Sequence, residues 1–217
     1  MRINVVIRYI GMVLQFIAAF MLASAGISLI NDYDSGFYPL LLSSFLTALL
    51  GIFPLIFVED VEEIKTKEGY CIVVGSWLVA CIVGTFPYLI WGGEFTPMNA
   101  WFESVSGFTT TGASILNDIE ALPKSLLFWR SSTHFIGGLG VVVFLLLVLP
   151  QASPYRMKLT NMEMSSLSKD GYRYKSSKVL RIIVSIYIGF VVASFFALWA
   201  AGMSAFDALN HAFSIAA

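Results

Sequence analysis

Long apolar runs alternate with short polar stretches along the chain, at about residues 3–30, 37–58, 70–91, 125–149 and 178–201. At 1.5 Å per helical residue, each is long enough to cross the ~30 Å hydrocarbon layer of a bilayer. The third run ends at Trp91-Gly92-Gly93 and the fourth at Pro150, residues that interrupt helices. Two shorter amphipathic stretches, 97–108 and 205–217, are too short to cross a bilayer and too apolar for free loops. They are candidate re-entrant helices. The pattern predicts an all-α polytopic membrane protein.

Composition sharpens this reading. Apolar residues make up 58% of the chain and charged residues 12%, where soluble domains carry about 25% charged residues. A soluble core could not absorb so much apolar surface, so the lipid bilayer is the expected surrounding. The first run is too long for the apolar core of a signal peptide, and a second span follows at once, so the run is expected to stay as an anchor. No long basic tract suggests nucleic acid as a partner. Cys71 and Cys81 lie ten residues apart in one apolar run, about 15 Å on a helix, too far for a disulfide.

Charge placement sets the expected orientation, because cytoplasmic loops near span ends are enriched in Lys and Arg. The segment 151–181 holds Arg156, Lys158, Lys169, Arg173, Lys175, Lys178 and Arg181 against Glu163 and Asp170. It is expected inside, together with the N-terminus and with Lys65 and Lys67. Asp32 and Asp34, with no basic neighbour in 31–36, suit the outside. These assignments agree only if 92–124 leaves and returns to the outer face, so Thr96 to Ser114 must dip into the membrane and come back.

The dip has a readable design. Thr96-Pro97 is a helix start, with Thr as N-cap and Pro at the first helical position. The helix is expected to run past Trp101 and Glu103 and to stop near Gly107. There Phe108-Thr109-Thr110-Thr111 favours extended backbone, and Gly112 permits positive φ. Irregular backbone survives at membrane depth only inside protein or along a water-filled path. The carbonyls of Thr109, Thr110 and Thr111 could replace a cation's hydration shell, with the negative end of the short helix aimed at the ion. A polar turn capping a membrane hairpin would look similar, and repetition separates the two readings. A shift of 108 residues places Thr96-Pro97-Met98-Asn99 on Ser204-Ala205-Phe206-Asp207, Trp91 on Trp199, Ser106 on Ser214, and the span 70–91 on 178–199.

The stretch Ser106-Gly107-Phe108-Thr109-Thr110-Thr111-Gly112-Ala113-Ser114 is followed by Phe128-Trp129-Arg130-Ser131 and His134-Phe135-Ile136-Gly137-Gly138-Leu139-Gly140. This combination strongly resembles the Trk/Ktr/HKT superfamily of potassium transporters. Two extra spans ahead of the first repeat look like the Trk membrane subunit and not the Ktr one. The resemblance covers the whole chain. It implies two N-terminal spans (1–60), a first span–half-helix–filter–span repeat (61–150), a basic cytoplasmic linker (151–177) and an incomplete second repeat (178–217). It also implies a potassium-binding filter at Thr109, Thr110, Thr111, Gly112 and Ala113, with the backbone carbonyls of Thr110 and Thr111 at the ion. Potassium is then the transported ligand and no cofactor is implied. The implied partners are a second copy of the chain and a nucleotide-binding regulatory subunit of the TrkA type, and the implied location is the cell inner membrane. Under the 108-residue shift Ala217 pairs with Thr109, so the chain reads as a portion of a longer protein.

Other residues take secondary roles. Gly137, Gly138 and Gly140 suit close helix approach. Glu103, an acid at membrane depth, is expected either to attract cations at the outer mouth or to support the filter. Arg130 either snorkels to the headgroups or tethers the filter through backbone carbonyls. His134 and His211 read as hydrogen-bonded packing residues. The basic linker suits either the regulatory subunit or anionic headgroups. Two rival classes account for less of the pattern. An intramembrane serine protease would have to pair Ser114 with His134, and a tetrameric channel subunit would carry a Thr-Val-Gly-Tyr-Gly strand.

Overall fold

A computed structural model describes residues 2–59, 66–148 and 166–217. Among them the chain forms eight helices. These are α1 (Ile3–Ile30), α2 (Phe37–Phe57), α3 (Thr66–Gly84), α4 (Phe86–Trp91), α5 (Pro97–Phe108), α6 (Lys124–Val148), α7 (Ser166–Ala200) and α8 (Ala205–Ala216). Ile3–Ile30, Phe37–Phe57, Lys67–Trp91 and Arg181–Ala200 are long and apolar enough to cross a membrane. The remaining expected span is present as α6, a continuous helix of 25 residues. The outward faces carry Phe45, Phe53, Val74, Leu78, Ile186 and Phe196, all exposed, as hydrocarbon-facing helices require.

α1 and α2 pack as a hairpin through glycine. A Cβ on Gly11 would stand 2.7 Å from the Gly51 carbonyl oxygen, and one on Gly51 would stand 2.8 Å from that of Gly11. Ser44 Oγ donates to the Ala18 carbonyl (2.8 Å) and Gln15 Nε2 to that of Ala48 (2.7 Å). Small residues that allow close approach, joined by polar side chains across the contact, are what hold helices together where water supplies no hydrophobic drive.

Charged groups of this hairpin reach helix ends, one of them its own. Arg8 donates to the carbonyls of Leu55 (2.9 Å) and Val58 at the end of α2. Arg2 pairs with the buried Glu68 of α3 at 2.8 Å. On the far side, Asp34 in the α1–α2 connection accepts hydrogen bonds from Ser125 at the start of α6. A cation near a helix C-terminus and an anion near an N-terminus both match the helix dipole.

Two boundaries differ from the hydropathy pattern. The run 70–91 is interrupted at Thr85, between α3 and α4. Pro87 has no N–H for the Val83 carbonyl, and its ring crowds that carbonyl. The turn tightens instead, with Thr85 N–H donating to Ile82 O at 3.2 Å and Thr85 Oγ1 donating to the same oxygen at 2.6 Å. α7 begins at Ser166, inside the segment expected to be a linker. Hydropathy marks the apolar length of a span. A helix nucleated there extends into polar residues at the gain of one hydrogen bond per residue.

The core lies beneath α5. Ile17, Met21, Leu40, Tyr88, Ala100, Leu126 and Trp129 are fully buried, so α1, α2, α4, α5 and α6 all meet there.

Candidate ion-conduction site

α5 starts as the sequence predicts. Thr96 is extended, its Oγ1 accepts from Asn99 N–H (3.3 Å), and Pro97 follows at the first helical position. Three glycines then wedge α5 between α3 and α6. A Cβ on Gly84 would meet Ser104 Oγ at 2.5 Å, one on Gly107 would meet Thr133 Oγ1 at 2.1 Å, and one on Gly137 would meet the Phe108 carbonyl oxygen at 2.2 Å. Ser104 Oγ also donates to the Cys81 carbonyl at 2.7 Å. Gly137, Gly138 and Gly140 thus serve close approach, Gly138 toward Tyr187 and Gly140 toward Trp77. The parts played by Gly84 and Gly107 have no counterpart in the sequence reading, and their small size was the only signal.

The end of α5 departs from expectation. Phe108 to Thr111 do not form one extended run. Thr109 (φ −87°) ends the helix and Thr110 turns left-handed (φ +56°). The N–H of Thr110 then donates to Gly107 O at 3.0 Å, and that of Thr111 to Ser106 O at 2.9 Å. This pair of bonds is a Schellman cap, whose left-handed position glycine normally fills. A β-branched residue there is under strain. Orphan carbonyls at the helix end outweighed the local preference for extended backbone.

Gly112 is also left-handed (φ +74°), as predicted, while Thr111 and Ala113 have negative φ. From Thr109 to Ala113 the sign of φ therefore alternates. Thr109, Thr111, Gly112 and Ala113 are exposed, and among the described residues no hydrogen bond reaches the carbonyls of Thr109, Thr110 or Thr111. The Ala113 carbonyl is different, because it accepts from Ser106 Oγ at 2.6 Å. The hydroxyls of Thr109 and Thr111 meet at 2.9 Å.

Glu103 and Arg130 lie behind this segment. Glu103 is 1% exposed, so it does not stand at a water-facing mouth. Its Oε1 accepts from Arg130 Nε at 2.6 Å, and its carboxylate also accepts from Ser114 Oγ (3.0 Å) and Ile115 N–H (3.2 Å). A carboxylate at that depth is tolerable because it is paired and hydrogen-bonded. Arg130 points inward and does not snorkel outward, bringing one terminal nitrogen to 3.5 Å from the Gly112 carbonyl oxygen. Ser114 is therefore engaged with Glu103, while His134 Nδ1 donates to the Arg130 carbonyl at 3.1 Å, so the two do not form a nucleophile–base pair. His134 is buried, and His211 is exposed.

α8 repeats the entry of α5 at the predicted offset. Ser204 is extended and its Oγ accepts from Asp207 N–H at 3.1 Å. Ala205–Ala216 is Pro97–Phe108 moved by 108 positions. Both short helices pack on α6, α8 through Phe213 against Phe135 (ring centroids 4.8 Å apart).

The family model described as TrkH, cation transport protein, matches residues 41–216. The chain belongs to the TrkH family. Among its relatives is the Trk system potassium uptake protein TrkH of Salmonella typhimurium, 39% identical over 154 residues, 70% of this chain and 32% of that protein. The TrkH of Vibrio parahaemolyticus is 32% identical over 219 residues, 99% of this chain and 44% of the relative. The crystal structure of the potassium transporter TrkH from Vibrio parahaemolyticus superimposes with a TM-score of 0.80 at 29% identity, over 98% of this chain and 42% of that one. The chain thus has the TrkH fold and spans less than half the length of these relatives. Its helices are those of a multi-pass membrane protein.

Proposed function

We propose that residues 109–113 form one strand of a potassium-selective filter, and that the protein takes up potassium across the cell inner membrane. The single observation that carries this reading is the run of carbonyls at Thr109, Thr110 and Thr111, on residues that are exposed or partly exposed, unbonded among the described residues and set in backbone whose φ changes sign from residue to residue. Such backbone cannot face lipid and must line a water-filled path or protein. Dipoles without hydrogen bonds, set at the negative end of α5, can take the place of water around a weakly hydrated cation.

In this reading 1–60 braces the pore, 61–150 is the first pore repeat, 151–177 a cytoplasmic linker and 178–217 belongs to the second repeat. The equal capping and length of α5 and α8 support the repeat. The N-terminus lies in the cytoplasm, as the Lys and Arg distribution requires. Glu103 and Arg130 hold the filter from behind. The working assembly is a homodimer with a nucleotide-binding regulatory subunit, as the family resemblance implies.

Replacing Gly112 by Ser in the full-length protein tests the reading. The added side chain strains the left-handed backbone by about 1 kcal/mol or more, or rotates a carbonyl off the ion. The potassium-to-sodium flux ratio in reconstituted liposomes is expected to fall, with normal membrane insertion. A parental ratio at full flux removes 109–113 as the filter.

A further inference from the structure

The two N-terminal spans carry none of the carbonyls assigned to the ion path, yet one of their side chains fixes the helix that supports it. α6 begins after Ala121-Leu122-Pro123, none of which offers a side-chain oxygen, so it cannot cap its own first turn. The cap comes from the α1–α2 connection. Asp34 Oδ2 accepts from Ser125 N–H at 3.0 Å, and Oδ1 accepts from Ser125 Oγ at 2.6 Å. Oδ1 is held on its own side by Ser28 Oγ (2.7 Å) and Gly36 N–H (3.1 Å). Ser28 and Ser125 are fully buried. A Cβ on Gly36 would stand 2.2 Å from Ser125 Oγ, so the connection docks on the start of α6 with no room for a side chain between.

The same helix carries Arg130 about one and a half turns further on, about 7.5 Å along the axis. Arg130 is the group that joins Glu103 and reaches the Gly112 carbonyl. We propose that Asp34 is a positioning residue for ion selectivity: it pins the start of α6 to the α1–α2 hairpin and so sets the depth at which Arg130 meets Glu103 and Gly112. This rests on reading 109–113 as the filter. Without Asp34, α6 loses its cap and its tether together. The guanidinium then shifts relative to a carbonyl that it reaches only at 3.5 Å, where small displacements decide whether contact persists.

The test uses the full-length protein in liposomes, comparing Asp34→Ala, Ser125→Ala, Ser24→Ala and Gly112→Ser. Ser24 is a control, since among the described residues its Oγ bonds only to the Phe20 carbonyl of its own helix. Asp34→Ala is expected to lower the potassium-to-sodium flux ratio, because it removes both bonds that tie the start of α6 to the connection. Ser125→Ala removes one of the two bonds to α6 and is expected to lower the ratio less, and Ser24→Ala to leave it unchanged. If Asp34→Ala does not insert, Ser125→Ala carries the test alone. A lower thermal midpoint with a parental flux ratio in both variants would show a merely structural tie and overturn the proposal. Gly112→Ser separates the two levels. If it changes the ratio while the Asp34 and Ser125 variants do not, the positioning role fails alone. If it leaves the ratio unchanged, the filter reading fails first.

Discussion

Thr110 holds a left-handed backbone that β-branched residues avoid, and it does so just past a helix end, where its carbonyl and those of Thr109 and Thr111 accept no hydrogen bond among the described residues. Relief of that strain is worth about 1–2 kcal/mol, while glycine's freedom in the unfolded chain costs about 0.4–1 kcal/mol. Thr110→Gly is therefore expected to leave the thermal midpoint unchanged or slightly raised. The potassium-to-sodium flux ratio should fall at the same time, because glycine no longer fixes the sign of φ. A clear loss of stability would mean that the Thr110 side chain is needed for packing and that strain is not the governing term. The capping role of Thr96 and the positive φ of Gly112 were legible in the sequence, since each follows from the chemistry of one residue. Thr110 was not. Local preference predicts extended backbone there, and only the unsatisfied carbonyls of Ser106 and Gly107 explain the turn. The engagement of Glu103 was half legible. A buried acid calls for a partner, but that Arg130, Ser114 and Ile115 together supply it depends on how α5, the return segment and α6 meet.

Helix boundaries followed the apolar pattern closely wherever a cap or a break is written in the residues, as at Thr96-Pro97 and Ser204. They departed from it where hydropathy and helicity diverge, at Thr85 and at Ser166. The contact of α5 with α6 is set by the smallest side chains. Gly137→Ala would put a methyl 2.2 Å from the Phe108 carbonyl oxygen, so the helices must separate. Overpacking of this kind costs about 1–3 kcal/mol, to be read as a lowered thermal midpoint of the purified protein. Gly26, in the middle of α1, has nothing within 4 Å of an added Cβ. Gly26→Ala should be neutral or stabilising by up to about 1 kcal/mol, from helix propensity. Equal losses at both sites would show that close approach is not what Gly137 provides.

For the molecule as a whole, the α1–α2 hairpin acts as a clamp with opposite charges at its two ends, Arg2 and Arg8 on one side and Asp34 on the other. Burial raises the cost of ionising Asp34, but hydrogen bonds from the Ser125 and Ser28 hydroxyls and from the Ser125 and Gly36 N–H groups outweigh it and hold the carboxyl below its ordinary 3.8. A depressed folded value means that the stabilisation is complete above the ordinary value and is lost as pH falls through the lowered one. Thermal stability is therefore expected to be insensitive to this group at neutral pH and to drop below about pH 4. Asp34→Asn should be less stable at neutral pH, with a shallower acid decline. An unchanged acid limb would assign that decline to other carboxylates. The hairpin, the span count and the 108-residue offset could be read from sequence, because each is a pattern along the chain. The clamp could not, because its bonds join residues 66 and 91 positions apart. That separation also imposes a schedule. Chains lengthen at about 5–20 residues per second, so Asp34 is made roughly 5–20 seconds before the serine it will cap. During that interval its carboxylate has only its partners within the same hairpin, Ser28 and Gly36, and water takes the place of the two bonds to α6. The last-made partner closes the lock, and a nascent chain stalled between residues 34 and 125 would leave it open.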